Sequence, residues 1–293
     1  MKLEAAACGL CGETAADLLF EAENCRQRVT DLKFPVRRCR SCGLAYTSPR
    51  PAAGEMGAFY RGAYYAQDRA PGAARLNDLF ARERVRAARR VAPRGRALDV
   101  GCGAGVFLEH LLGEGFDAWG LEPFGGGEGV GAGEPGRRIH HGDLGSCPFE
   151  EGSFDLVTLW HVLEHVPDPV DTLRRVRRLL RPSGALLLEV PNFGSAEARQ
   201  LGPRWFALDV PRHFWHFSPG TLRAAGARAG FARLSIEASA WRQPSLAVRF
   251  LLSAAEGFAP PGSGRARKAL ACARVLAGRF LPDSLPTLRL VGR

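Results

Sequence analysis

Three acids arranged around a run of glycines carry the first chemistry in this chain. In "LDVGCGAG", Asp99 stands just ahead of Gly101, and Gly103 and Gly105 follow at alternate positions. Glycines in such a bend let the backbone approach a ligand closely. The dinucleotide fingerprint is G-x-G-x-x-G, whereas this loop reads G-x-G-x-G, and a carboxylate beside it repels a pyrophosphate and attracts a cation. Glu122 ends the next strand, where a carboxylate can accept both hydroxyls of a ribose. Asp143, in "HHGDL", is placed to take the exocyclic amine of an adenine. Cys102 and Leu144, which flank these positions, belong to the same expected pocket. An adenosine bearing ammonium and sulfonium charges, and no phosphate, satisfies all three acids.

A second chemistry sits at the amino terminus. Cys8 and Cys11 in "CGLC", and Cys39 and Cys42 in "CRSC", form two C-x-x-C pairs, each followed by a glycine, Gly12 and Gly43. That spacing presents both sulfurs of a knuckle to one point and predicts a tetrahedral Zn²⁺ site. Four thiolates close the coordination shell, so the expected role is structural. The plainer alternative is four reduced thiols with no metal. Cys25, Cys102, Cys147 and Cys272 have no partner spacing and are read as packing residues.

These residues need a frame. The chain turns from Pro49 to Pro51, passes the aromatic cluster "FYRGAYYAQD", and enters a helix over Ala73 to Val91 that Pro93 and Gly95 end. Strands then alternate with helices: "RALDV", "FDAWGLE", "RRIHHGD", "FDLVTLWH", "GALLLEVPN", "FARLSIEAS" and "TLRLVGR", with helices through "VFLEHLLGEG" and "DPVDTLRRVRRLL". Short apolar strands separated by amphipathic helices predict an α/β, Rossmann-like, doubly wound seven-stranded sheet. The last two strands lack a short crossover helix, so an antiparallel last strand is expected. The expected organisation is a zinc ribbon over residues 1–50, an aromatic and helical linker over 51–95, and a ligand-binding domain over 96–293 with a helical insertion at about 245–281.

From Arg96 to Phe231 the chain resembles the class I S-adenosylmethionine-dependent methyltransferases. The motifs that carry the resemblance are "LDVGCGAG", "GLEP", "GDL", "FDLVTLWHVLEHVPDP", "LLRPSGALLLEVPN" and "PRHFWHFSPGTL", in family order and spacing. The resemblance implies S-adenosylmethionine as cofactor, with contacts at Asp99, Gly101, Gly103, Glu122, Asp143 and the strand end near His161. The chain departs from the family at "PFGGGEGVGAGEPG", too rich in glycine for the usual helix. The cysteine module ahead of the core, with a late "HxxxFS", is similar to bacterial deoxysugar C-methyltransferases and their relatives, which implies a small-molecule acceptor such as a sugar, methylated at oxygen or carbon.

The sulfonium is already a good leaving group, so the protein must align the acceptor and remove a proton, for which histidine suits neutral pH. His213, in "LDVPRHFWHFS", is the expected general base because it matches the histidine of the sugar-methyltransferase motif. His161, beside the expected sulfonium position, is the second candidate, although its backbone could be what matters there. Tyr65, with Tyr64, could close the pocket or serve as a packing aromatic. His165 is expected to open a helix as a capping or packing residue, or, with Glu164, to hold a divalent ion, as the resemblance to related quinone O-methyltransferases implies. Arg204, Trp205 and Arg212 could contact an acidic or ring-bearing acceptor.

With 293 residues, 46% of them hydrophobic, the chain can fill a core. The formal charge of +10 comes almost wholly from arginine scattered end to end, only Lys2, Lys33 and Lys268 being lysine, and is read as compositional bias. The amino terminus lacks the pattern of a signal peptide, and no apolar run reaches the roughly 18 residues of a spanning helix, so a cytoplasmic location is expected. Two other readings stand beside the small-molecule enzyme. One is an RNA methyltransferase that uses the zinc ribbon to hold nucleic acid, against which "LWHVLEHV" lacks the Asn/Asp-Pro-Pro-aromatic motif of base methyltransferases. The other is a non-catalytic zinc-knuckle interaction protein. The apolar, Arg-bearing helices expected at 245–281 could cover the acceptor, form a dimer surface or lie on an anionic membrane.

Overall fold

A computed structural model describes residues 1–23, 30–59, 73–123, 138–239 and 287–293. Tyr64 and Tyr65, the glycine-rich stretch after Glu122 and the expected 245–281 insertion lie outside the described residues. The chain begins with strands β1 (Leu3–Glu4), β2 (Ala16–Glu23), β3 (Lys33–Cys39), β4 (Ala45–Thr47) and β5 (Arg50–Pro51). Next come helix α1 (Ala73–Val91), β6 (Arg96–Val100), α2 (Val106–Gly113), β7 (Asp117–Glu122), β8 (Ile139–His141) and β9 (Phe154–Trp160). The remainder is α3 (Pro169–Leu179), β10 (Leu180–Pro191), α4 (Ala196–Leu201), β11 (Trp215–His216), α5 (Pro219–Arg228), β12 (Leu234–Ser239) and β13 (Thr287–Gly292). They fall into two compact units: Met1–Arg61 with Pro191–Leu222 and Glu237–Leu288, and Gly62–Val190 with Arg223–Ile236 and Arg289–Arg293.

The second unit is built on a seven-stranded sheet in the order β12-β13-β10-β9-β6-β7-β8. β6 pairs in parallel with β7 and β9, β9 with β10, and β7 with β8. At the far edge Arg233 and Arg293 exchange both backbone hydrogen bonds, each 3.0 Å, the signature of an antiparallel pair. The expected sheet and its antiparallel end are therefore both present. Ala97, Leu98, Leu156, Val157 and Leu186–Leu188 are fully buried, as strands covered on both faces must be. On one face Ala97, Leu156 and Leu187 pack with Val85 and Ala88 of α1 and Phe107, Leu108 and Leu111 of α2.

α3 shows how local sequence sets an element. Asp168 caps it by accepting from the Asp171 N–H at 2.8 Å, Pro169 takes a first-turn position that needs no donor, and Val170, Leu173 and Val176 form the buried stripe. Burying Leu173 and Val176 contributes about 1.5–3 kcal/mol each. His165 does not open this helix, contrary to expectation: it lies in the preceding turn, where its N–H bonds the Val162 carbonyl at 2.9 Å.

The first unit holds a four-stranded sheet ordered β11-β4-β3-β2 and a small pair, β1 with β5. The turn expected from Pro49 to Pro51 is instead partly strand, Arg50 and Pro51 lying opposite Glu4 and Leu3. β2 has no counterpart in the sequence reading: its mostly exposed or half-buried residues show no clean alternation, and pairing with β3 defines it.

Candidate functional site

β6 neighbours β7 on one side and β9 on the other, so the strand order reverses beside it and the carboxyl ends of these strands flank the ligand crevice of an open sheet. Asp99, Gly101, Glu122 and His161 are all brought to that edge by register, Asp99 lying opposite Gly120 and Thr158. Gly101, Gly103 and Gly105 take φ of 70°, 53° and 77°. At Gly101 a Cβ would also stand 2.5 Å from a Val162 methyl carbon, so glycine is required twice over.

The backbone N–H groups of this bend are spent inside the protein. Gly101 and Cys102 donate to the Leu121 carbonyl at 2.7 and 3.2 Å, Gly105 donates to Cys102, and Gly103 donates to the Glu122 carboxylate at 2.9 Å. A phosphate cradle needs those donors aimed at the ligand. Here those of Gly101, Cys102 and Gly103 are bound to β7 and that of Gly105 to the bend itself, and a carboxylate sits where a phosphate loop presents N–H.

Asp99 is buried at 2% exposure and accepts from the Thr158 hydroxyl at 2.6 Å. Burial pushes its carboxyl up to about 7, against the opposing pull of Thr158 and the Arg84 guanidinium, with Glu122 adding to the rise. Asp99 thus lies beneath the bend rather than at its surface. Glu122, also buried, braces the loop directly. Behind them Arg289 lies 3.3 Å from both Glu83 and Glu189, and the Arg84 guanidinium stacks 4.8 Å from the Trp160 ring centre. Sequence reasoning missed Thr158, Arg84 and Arg289, since nothing local marks a threonine 59 residues further along the chain as the partner of Asp99.

Asp143 follows β8 and is exposed; its Oδ1 accepts from the N–H groups of Gly145 and Ser146 at 2.8 and 3.0 Å. Slight burial works to raise its carboxyl, but those donors outweigh it and hold it below the usual range. Leu144 is half-buried in the same turn, and Cys102 is buried beneath Gly120. His161 has a left-handed φ of 57°, donates its N–H to the Glu189 carbonyl at 2.9 Å, and sets Nδ1 3.3 Å from the fully buried Glu164 carboxylate.

In the first unit Cys8, Cys11, Cys39 and Cys42 come together with every sulfur within 4.8 Å of the others. Cys8 and Cys42 sulfurs are 3.4 Å apart, Cys11 and Cys39 sulfurs 3.5 Å. That is far beyond a disulfide at about 2.05 Å and close to the roughly 3.8 Å edge of a tetrahedron with Zn–S of about 2.3 Å. The Cys42 N–H points at the Cys39 sulfur at 3.5 Å. Burial works to raise the Cys11 thiol, but the Glu13 N–H and the neighbouring sulfurs bring it down to about 7, while burial drives Cys8 up. Four sulfurs without a compensating cation have conflicting demands, and a divalent metal resolves them by holding all four as thiolates. The donor set fits zinc.

The same unit holds His213, 6% exposed. Its Nδ1 lies 2.9 Å from the Ala207 carbonyl, which can only accept, so Nδ1 carries the proton and Nε2 the lone pair of the neutral ring. Asp209 places Oδ2 3.7 Å from that Nε2 and accepts from Arg212 Nη2 at 2.6 Å through Oδ1. Arg212 is 1% exposed and also donates to the Phe59 carbonyl at 3.3 Å. Arg212 is therefore an internal clasp and not the acceptor contact that the sequence suggested. Asp209 was missed, although the i, i+3, i+4 spacing to Arg212 and His213 was a usable signal.

Residues 73–236, more than half of the chain, match the family described as methyltransferase domain. A ubiquinone biosynthesis O-methyltransferase of Aromatoleum aromaticum is 33% identical over 125 residues, covering 40% of this chain and 53% of that protein. An uncharacterized 37.1 kDa protein in transposon Tn4556 of Streptomyces fradiae is 33% identical over 116 residues, covering 35% of this chain and 32% of that protein. The chain thus spans about half or less of the length of these curated relatives. The crystal structure of a SAM-dependent methyltransferase from Archaeoglobus fulgidus shares the fold with a TM-score of 0.54 at 19% identity, covering 79% of this chain and 99% of that one.

Proposed function

Because the chain belongs to the methyltransferase-domain family, we propose that it is an S-adenosylmethionine-dependent enzyme that methylates oxygen or carbon of a small-molecule acceptor. The observation that carries this reading is the glycine bend: its N–H groups are bound within the protein, and Asp99 and Glu122 make its surroundings favour a cationic nucleoside over a phosphorylated one. In this reading Asp99, Gly101, Cys102, Gly103, Gly105, Glu122, Asp143, Leu144 and His161 form the cofactor pocket. Residues 1–50 are read as the zinc ribbon, 51–95 as the linker and 96–293 as the cofactor-binding domain, and the insertion expected at about 245–281 is proposed to cover the acceptor, form a dimer surface or lie on an anionic membrane.

The bound sulfonium supplies a methyl group on a ready leaving group. The chain's residues hold the acceptor in line with it and accept the acceptor's proton. His213 is the proposed base, with the proton arriving at Nε2 because Nδ1–H is committed to Ala207. As the acceptor oxygen bonds to the methyl carbon, the carbon–sulfur bond breaks and its electron pair stays on sulfur. His161 and Tyr65 are the other proposed participants. The ubiquinone O-methyltransferase relatives favour a hydroxyl oxygen as nucleophile, and a sugar hydroxyl or carbon is the proposed alternative acceptor.

Incubation with methyl-labelled cofactor and a panel of sugar nucleotides and catechol-type phenols tests this. Label should enter one of these classes, and His213→Ala should abolish the transfer while S-adenosylhomocysteine still binds. Label appearing only in RNA would refute the small-molecule reading.

A further inference from the structure

The cysteine knuckle and the candidate base belong to one sheet. β3 ends at Cys39, and the Cys39 N–H bonds the Leu44 carbonyl at 2.9 Å, closing the hairpin that sends the chain from Cys42 into β4. β4 then pairs on its other side with β11, Tyr46 opposite Trp215 and Ala45 opposite His216, 169 to 171 residues further along the chain. Trp215 packs on the Tyr46 ring with centroids 6.0 Å apart. Tyr46 feels the knuckle as well: burial first, then the charges of Cys8 and Cys39, push its hydroxyl up. The Arg50 guanidinium lies 4.2 Å from the Phe214 ring centre and 5.1 Å from that of Trp215.

Thr47, the last residue of β4, is fully buried and holds this segment at three points. Its N–H donates to the Phe214 carbonyl at 2.9 Å, its hydroxyl donates to the His213 carbonyl at 3.0 Å, and the same oxygen lies 3.1 Å from His216 Nε2. A hydroxyl has one proton, and the His213 carbonyl can only accept, so that proton goes to His213. His216 must then be the donor in the third contact, which fixes its ring as the Nε2–H form. Neither packing nor solubility requires a buried hydroxyl with both of its roles filled; a valine would fill the same space.

We propose that the cysteine centre is a positioning device for the candidate base, and that Thr47 is the positioning residue through which it acts on the 213–216 segment. A metal across the two knuckles fixes the hairpin, the hairpin fixes β4, and Thr47 fixes the backbone carbonyl of His213 and the ring of His216. The proposal rests on reading His213 as the base, but its test does not depend on that reading.

The test uses the zinc-loaded full chain. Chelation of the metal should speed amide hydrogen exchange in residues 211–217 together with 33–47, while calorimetry with S-adenosylhomocysteine reports on the second unit separately. Thr47→Val, with the cysteines intact, should keep its zinc, move the His216 ring nitrogens away from the Nε2–H pattern in ¹⁵N spectra, and speed exchange in 211–217 about fivefold. Thr47→Ser should restore both. Unchanged exchange at 211–217 after the metal has left, or wild-type His216 nitrogens in Thr47→Val, overturns the proposal. A native chain that fails to bind S-adenosylhomocysteine would instead refute the methyltransferase reading and leave this result standing.

Discussion

The two units solve the same problem, holding a few reactive groups in place, by different means. In the second unit the groups are close in sequence to the elements that hold them: Asp99, the glycine bend and Glu122 lie on adjacent parallel strands that also form the core. In the first, a four-stranded sheet pairs strands 169 to 171 residues apart in the chain, β4 with β11, and four sulfurs meet at the end of β3. The contrast teaches that a continuous hydrophobic sheet sets a buried carboxylate by strand register, whereas the first unit gathers four thiols and a buried ion pair from its turns.

Substitutions sharpen this comparison, and the largest effect is expected at the cysteines. Cys39→Ser should abolish cooperative folding of the first unit, because binding energy of the metal is folding energy there; zinc content and circular dichroism read it. Next, Asp209→Asn removes the charge of a buried ion pair with Arg212 and should destabilise the same unit by about 3–5 kcal/mol in denaturant unfolding. Conversion of the second unit's Gly101 to alanine imposes a left-handed residue at about 1–2 kcal/mol and drives its methyl into Val162. Calorimetry should show at least tenfold weaker cofactor binding, with zinc content unchanged.

The smallest expected effect is a proton linkage. Asp99, with its carboxyl raised to about 7, is mostly neutral at pH 6 and charged at pH 8. A cationic ligand favours the charged form, so S-adenosylmethionine should bind about tenfold more tightly at pH 8 than at pH 6. S-adenosylhomocysteine, lacking the sulfonium, should vary less. Without ligand the sign is opposite: the unfolded chain loses this proton near pH 4 and the folded one near 7. Stability from the neutral acid is therefore complete below about 4 and lost as pH rises through 7. Asp99→Asn should flatten both profiles, and an unchanged slope in binding would break the electrostatic account.

Much of the second unit was legible because its signals are local. The helix over Ala73–Val91 matches its expected limits, and each apolar strand from "RALDV" to "TLRLVGR" is present, since parallel strands buried on both faces advertise themselves as continuous runs. The cysteine pairs were legible for the same reason, each knuckle being complete within four residues. What escaped was everything that depends on distant partners. Thr158 reads as an ordinary strand residue until the register puts it opposite Asp99, and Trp215–His216 has no strand character until β4 offers it an edge. Arg212 was misjudged because an arginine that finds a buried carboxylate three residues back looks, in sequence, like one that waits for a ligand.

Titration calorimetry of the zinc-loaded chain with two unphosphorylated nucleosides and two nucleotides addresses the central claim most directly. The account predicts heat of binding with S-adenosylmethionine and S-adenosylhomocysteine and none with NAD or ATP. Uptake of NAD or ATP, with S-adenosylmethionine ignored, would contradict it.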